Sequence, residues 1–151
     1  MANSPASFEG LGPSLTNARD LLEKLRHDFN RIRKDRHDPY AAFDFFVTAE
    51  HLPEWCSTPT VKSEEPLLRV VSHLANGAKH FRATDPRHKS VKGVGLRKGV
   101  FNAGIFQADV FDTGGLFVEL SGEEATLLGE KIEVHDLARR VLSFWETRLA
   151  S

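Results

Sequence analysis

The stretch from Glu64 to Phe81 constrains the fold of this chain most, because its helical periodicity is the clearest in the sequence. Its apolar residues recur three or four positions apart and so fall on one face of a helix; they are Leu67, Val71, Leu74, Ala78 and Phe81. A polar stripe keeps the same rhythm about two residues out of phase, and it comprises Arg69, His73, Asn76 and His80. The stretch therefore predicts an amphipathic helix with one core-facing side and one side rich in hydrogen-bonding groups.

A second helix is predicted to begin at Asp38, which suits the N-cap, with Pro39 at the first helical position. The residues that follow, PYAAFDFFVTAEHL, are apolar on nearly every side, which is typical of a helix buried at the centre of a domain. Asp44 lies within this stretch, and a buried carboxylate must be paired or neutralised. We therefore expect Asp44 to reach the helix surface or to meet an Arg or His from another element. Pro53 is predicted to end the helix.

The remaining patterns complete an α+β fold. Residues 18–32 have the apolar spacing of a first helix, and the chain from about Val134 to Leu149 predicts a long C-terminal helix. Alternating apolar and polar residues predict three strands, at about 90–96, 103–111 and 115–120. The predicted architecture is a bundle of three helices, a small antiparallel three-stranded sheet and a long C-terminal helix that packs back on them.

With 151 residues, the chain is expected to form one domain. Residues 1–14 are rich in Gly, Pro and Ser and are predicted to be a flexible arm, whereas residues 15–151 are predicted to form a single α+β domain. One cysteine, Cys56, excludes a disulfide within the chain and favours a reducing compartment. Because the sequence has neither a signal-peptide pattern nor an apolar run of roughly 18 residues, a cytoplasmic location without membrane contact is predicted.

Histidine is frequent in this chain, but the spacings do not indicate a metal site. His73 and His80 lie seven residues apart, about two turns along a helix, and Asn76 between them is a poor zinc ligand. The sequence has no H-x-x-x-H, no paired cysteines, no phosphate-binding P-loop and no G-x-G-x-x-G pattern. We therefore expect neither a metal nor a cofactor.

The polar stripe allows two interpretations. Metal-independent RNA cleavage needs a base and a cation, and Arg69 with His73 one turn away, followed by His80, supplies candidate catalytic residues. In the alternative, Asn76, Lys79 and His80 fasten the helix to the following loop and sheet, and Gly77 permits close approach of another element. The second, structural interpretation is the one we favour for the stripe.

The chain turns basic between residues 82 and 98, where the only acid is Asp85. The net charge of the whole chain is only −1, so any attraction for nucleic acid must come from such a local cluster. Candidate phosphate-binding residues are Arg87, Lys89, Lys92, Arg97 and Lys98. The competing interpretation is a solvated basic hairpin that is balanced by the acidic C-terminal third of the chain.

Four segments carry a resemblance to known proteins: AFDFFVTAEHLPEW, LANGAKHF, RHKSV and ARRVLSFW. Together they resemble, over residues 15–149, a set of uncharacterised bacterial and phage-associated proteins. The helical framework is also loosely similar to HEPN domains, the helical bundles of RNA-cleaving toxins and defence proteins. HEPN domains carry an Arg, an adjacent polar residue and, a few positions later, a His on one helix, and this resemblance implies a metal-independent RNase.

This chain departs from the HEPN pattern at each place where the pattern is approached. The spacing from Arg69 to His73 is too short, and Val70 stands where a polar residue belongs. Two other Arg–His pairs have the right length but an apolar residue after the Arg; they are Arg31 with His37 and Arg82 with His88. Two functional hypotheses follow. The first is a noncatalytic protein that acts through a protein partner or as a homodimer; the alternative is a protein directed at nucleic acid.

Overall fold

The computed structural model describes residues 12–80, 91–97 and 115–150, with residues 79–80 and 96–97 described by their backbone only. In these ranges the chain forms six helices and three strands. They are α1 (Ala18–Lys34), α2 (Pro39–Trp55), α3 (Val61–Glu64), α4 (Pro66–His80), β1 (Val91–Arg97), β2 (Gly115–Leu120), α5 (Gly122–Leu128), β3 (Lys131–Glu133) and α6 (Val134–Leu149). The predicted α+β class is confirmed, with a small antiparallel sheet of three strands and a long C-terminal helix.

The helices α1, α2, α4 and α6 form the helical layer of the domain. Helix α1 packs against α2 and α6, and α2 packs against α4. Their facing sides bury the largest side chains of the core, which include Trp145, Phe45, Leu25, Leu52 and Leu137. This burial supplies the main driving force for folding, because it removes apolar surface from water.

Helix α2 begins where the sequence predicts and ends two residues later than predicted. The Asp38 carboxylate accepts hydrogen bonds from the backbone amides of Tyr40 and Ala41. The prediction that Pro53 ends the helix is wrong, because α2 continues to Trp55. A proline in the last turn removes only one backbone donor, and the Cys56 amide still bonds the carbonyl of Leu52 at 2.9 Å.

The buried side of α4 is broader than the periodicity predicts. Helix α4 contacts α2, α3, α5 and β1, so it is covered from more than one direction. Leu68, Val70, Val71 and Ala75 are buried, and His73, which belongs to the polar stripe, is only 5% exposed. The helix also starts at Pro66, after the separate single turn α3, since proline suits the first helical position.

The sheet has the order β1–β2–β3. Val94 pairs with Val118 and Leu96 with Leu116, and the register shifts between Val91 and Gly93, which makes Lys92 part of a β-bulge. The third strand of the described sheet is β3, a three-residue strand that the sequence patterns did not predict. The predicted strand 103–111 and most of the basic segment 82–98 lie outside the described residues.

Two further features connect the layers. The backbone amide of Leu116 donates to the carbonyl of Arg36 at 3.1 Å, which ties β2 to the link between α1 and α2. The Arg36 guanidinium lies 3.2 Å from the Glu133 carboxylate at the end of β3.

In the described ranges, no helix has the length and apolar character needed to cross a membrane.

Candidate functional site

A groove of about 650 Å³ opens between α2, α4 and the face of the sheet, and we call it the α2–β1 groove. Most of its lining is apolar. The residues are Pro39, Ala42, Phe43 and Phe46 of α2; His73, Leu74, Gly77 and Ala78 of α4; Val91, Lys92, Gly93 and Val94 of β1; Leu116 and Val118 of β2; and Val134 of α6. A concave apolar surface with few polar groups is the usual form of a binding site.

The floor of the groove exists because the helices cover β2 more completely than β1. Val94 and Val118 are directly opposite each other in the antiparallel pair, so their side chains point to the same side of the sheet. Val118 is completely buried, whereas Val94 is 55% exposed. The helix-facing side of β1 therefore remains open at Val94.

The wall formed by α2 carries aromatic side chains at its mouth. Pro39, Phe43 and Phe46 are spaced four and three residues apart, which places them on one side of the helix. Phe46 is buried, Phe43 is 47% exposed, and the neighbouring Tyr40 is 77% exposed. The expectation that α2 is buried on all sides is therefore wrong for its first turns, where a large apolar surface faces solvent.

The wall formed by α4 is built from small residues. Among the described residues of other elements, no atom lies within 4 Å of a Cβ placed on Gly77, so the described space beside this residue is open. The described residues do not make the close contact that was predicted at Gly77, which stays a prediction for the rest of the chain. Gly77 and Ala78 instead widen the groove and leave room for a backbone to approach α4.

Among the described residues that line the groove, Lys92 is the one with a charged side chain. It is exposed, and none of the carboxylates in the described part of the chain forms an ion pair with it. Lys92 also lines a second cavity of about 510 Å³, in which Glu119, Glu130 and Lys131 contribute charges of both signs. The α2–β1 groove thus differs from the second cavity: its described lining is mostly apolar, and the charge in that lining is the positive one of Lys92.

His73 connects α4 to β1 at the groove. Its Nδ1 accepts a hydrogen bond from the backbone amide of Val91 at 2.9 Å. A ring nitrogen that accepts a hydrogen bond carries no proton, so the imidazole is neutral in this arrangement. Among the described side chains, His73 makes such a link between this helix and the sheet. The fastening predicted for Asn76, Lys79 and His80 stays a prediction, because the side chains of Lys79 and His80 lie outside the described ones.

Arg69 points to α5, and each of its three guanidinium nitrogens donates one hydrogen bond. Its Nε lies 2.8 Å from the Glu124 carboxylate and its Nη2 lies 3.1 Å from Glu123, while Nη1 donates to the carbonyl of Ser63 at 2.7 Å. An RNase pair needs its cation and its base to face one substrate. In the described structure Arg69 and His73 have different partners and do not face a common cleft.

The other sequence-predicted site residues are distributed as follows. Asn76 is partly buried on α4. The backbones of Lys79, His80 and Arg97 lie at the ends of α4 and β1, and Arg87, Lys89 and Lys98 lie outside the described residues. Among the described side chains, no group of three or more His, Cys, Asp or Glu residues converges on a position that could hold a metal ion.

A polar network between α1 and α2 supplies partners for two acids, Asp44 and Asp28. The burial of Asp28 was not predicted from the sequence. Asp44 lies 2.5 Å from the Arg31 guanidinium, as expected for a carboxylate that meets an Arg from another element. Asp28 is only 1% exposed, and its Oδ2 lies 2.6 Å from the Lys24 ammonium and 2.9 Å from the Thr48 hydroxyl. These contacts hold two helices together and lie away from the groove lining.

Cys56 is not set up as a nucleophile. Burial raises the pKa of its thiol, and the nearby charge of Arg148 opposes this effect only in part. A raised thiol pKa leaves little of the reactive thiolate at neutral pH. This environment agrees with the structural role that its position beside Trp55 indicates.

The α2–β1 groove was not found by sequence reasoning. Its one sequence signal is the density of apolar residues around α2, which by itself indicates burial and not an open surface. No protein-family model matches this chain, and no curated protein or solved structure is similar enough to indicate a relative.

Proposed function

We propose that this protein is a noncatalytic binding protein that recognises a protein partner through the α2–β1 groove. The observation that supports the proposal is the exposed apolar surface of the groove, where Phe43 and Val94 are 47% and 55% exposed, together with Tyr40, three residues before Phe43 on α2, which is 77% exposed. Exposed aromatic residues beside a concave apolar surface are typical of protein-binding sites, because they bury much area at a low entropic cost. A bacterial defence or phage setting comes from the sequence resemblance alone.

The environments of the candidate catalytic residues favour binding over catalysis. Arg69 donates hydrogen bonds to Glu123, Glu124 and a backbone carbonyl, and the Nδ1 of His73 accepts one from the Val91 amide. An RNase mechanism through these two residues would have to break contacts that join α4 to α5 and β1. The nucleic-acid alternative therefore depends on residues 82–98, of which Lys92 is a described and exposed cation.

Site-specific photocrosslinking tests the proposal. The photoreactive residue p-benzoylphenylalanine replaces Phe43 at the groove in one variant and Leu127 on α5, which is 57% exposed, in a control variant. After irradiation in cells, we expect a discrete protein adduct from position 43 and none from position 127. The adduct should disappear when Gly77→Leu fills the groove in the same chain.

The partner identified in this way is then purified and titrated against the wild-type protein and Phe43→Ser. We expect Phe43→Ser to weaken binding by at least about tenfold, as is typical for the loss of an aromatic anchor. Equal crosslinking at both positions, or binding that is indifferent to Phe43→Ser, would contradict the proposal. Salt-dependent RNA binding or RNA cleavage by the purified protein would instead favour the nucleic-acid alternative.

A further inference from the structure

We infer that the partner segment bound in the α2–β1 groove is a short apolar peptide stretch flanked by an acidic residue, whose carboxylate pairs with Lys92. This inference rests on the proposed function and adds the chemistry of the partner to it. It follows from the shape of the groove and from the position of Lys92 in its lining.

The shape of the groove favours several apolar side chains on one segment. Its volume of about 650 Å³ exceeds the space that a single side chain fills and lies in the usual range of ligand sites. Phe43, Phe46 and Leu74 line the sides, and Val94 and Val118 line the floor. Because Gly77 has open space where a Cβ would be, a peptide backbone can come close to α4 and place its side chains between the walls.

The charge of the groove selects the flanking residue. Lys92 is the one charged side chain in the described lining, and none of the described carboxylates forms an ion pair with it. Arg36, in the link between α1 and α2, is already paired with Glu133 at 3.2 Å. Apolar surroundings strengthen the interaction between opposite charges compared with open water, so an acidic side chain is attracted and a basic one is repelled.

Selection from a phage-displayed random peptide library tests this inference on the intact chain. The wild-type protein should enrich peptides with an apolar centre and a flanking Asp or Glu. Lys92→Glu should enrich the same apolar centre with a flanking Lys or Arg, since the sign of the charge at the groove is reversed. Arg19→Glu is the matched control. It makes the same change in net charge at an exposed position in the first turn of α1, a helix that contributes no residue to the described groove lining.

A synthetic copy of the peptide enriched on the wild type is then titrated against each variant. We expect about tenfold weaker binding to Lys92→Glu, in keeping with the loss of one charge-assisted contact, and unchanged binding to Arg19→Glu. Apolar peptides without any charge preference, or a preference that Lys92→Glu leaves unchanged, would overturn this inference and leave the proposed function intact.

A different result would overturn both proposals. If the wild type enriches no peptide beyond what the groove-filled variant Gly77→Leu enriches, the groove does not recognise a partner segment. The occupant to test next is then a second copy of the chain. Sedimentation of the intact protein at several concentrations tests for it, because self-association makes the mass depend on concentration.

Discussion

His73 accepts, through Nδ1, the backbone amide hydrogen of Val91, and this 2.9 Å bond joins α4 to the first residue of β1. The side chain is 5% exposed, so water does not compete freely for the bond. A histidine that sequence periodicity assigned to the polar stripe of α4 is therefore a structural link between the helical layer and the sheet.

Replacing His73 should destabilise the fold. His73→Leu removes the acceptor of the Val91 amide, and leaving that donor without a partner is expected to lower the free energy of unfolding by about 1–3 kcal/mol. His51→Leu, the same substitution at an exposed position on α2, is the control and should stay within roughly 0.5 kcal/mol of the wild type. Urea denaturation followed by circular dichroism measures both. Equal losses in the two variants would contradict the structural role of His73.

Two glycines should respond to substitution in opposite directions. Gly77→Ala should raise the free energy of unfolding by roughly 0.5–1 kcal/mol, because alanine has the better helix propensity and the space beside Gly77 is open. Gly129→Ala should lower it by about 1 kcal/mol, because Gly129 follows α5 with φ +96°, which side chains disfavour. Thermal unfolding of both variants checks the signs. A destabilised Gly77→Ala would show that another part of the chain closes on this residue.

Stability should fall in mildly acidic solution because of His135. Burial, followed by the positive charge of Arg36, lowers the pKa of His135 below its ordinary value of 6.5; Arg139 acts in the same direction, while Glu133 and Asp136 oppose it. Its ring stacks on Phe29 with the centroids 5.4 Å apart, and its Nε2 is buried without a hydrogen-bond partner among the described residues. The unfolded chain therefore binds this proton at a higher pH than the folded chain does.

The sign of the effect follows from proton linkage. The contribution of His135 is complete above pH 6.5 and is lost as the pH falls from there through the folded-state pKa. His135→Phe, which keeps a ring beside Phe29, should flatten the stability profile below pH 6.5. Denaturant unfolding at a series of pH values measures the slope. If the stability of His135→Phe depends on pH with the same slope as that of the wild type, groups other than His135 cause the acid destabilisation.

The buried carboxylate of Asp28 should matter more than a surface acid. Asp28→Leu removes the carboxylate that accepts from the Lys24 ammonium and the Thr48 hydroxyl, so that Lys24 keeps only the Thr48 hydroxyl and Thr48 keeps only the Asp44 carbonyl as acceptor. Since Lys24 is 41% exposed, we expect a loss of about 2–3 kcal/mol, below the roughly 3–5 kcal/mol of a fully buried pair. Asp136→Ala, which removes exposed pairs with Arg139 and Arg140, should cost less than about 1 kcal/mol. Similar losses in chemical denaturation would show that the Asp28 network adds little.

Local signals in the sequence determined most of the helical framework. Asp38 with Pro39 marks the start of α2, and the apolar spacing of α6 predicts its range from Val134 to Leu149, because capping groups and helical periodicity act over a few residues. The pairing of Asp44 with an Arg was also expected, since a carboxylate among apolar residues needs a partner. These features depend on neighbours in the chain and are visible without the fold.

Only the tertiary structure decided which faces of those elements are covered. The exposure of Phe43 and Val94 depends on how far the helical layer extends over β1, and the burial of His73 depends on the distant Val91 amide. Periodicity indicates that a side chain is apolar or polar, but burial results from contacts between residues far apart in the sequence. The α2–β1 groove is the place where apolar surface is not covered within the described residues, and a local pattern has no means of showing that.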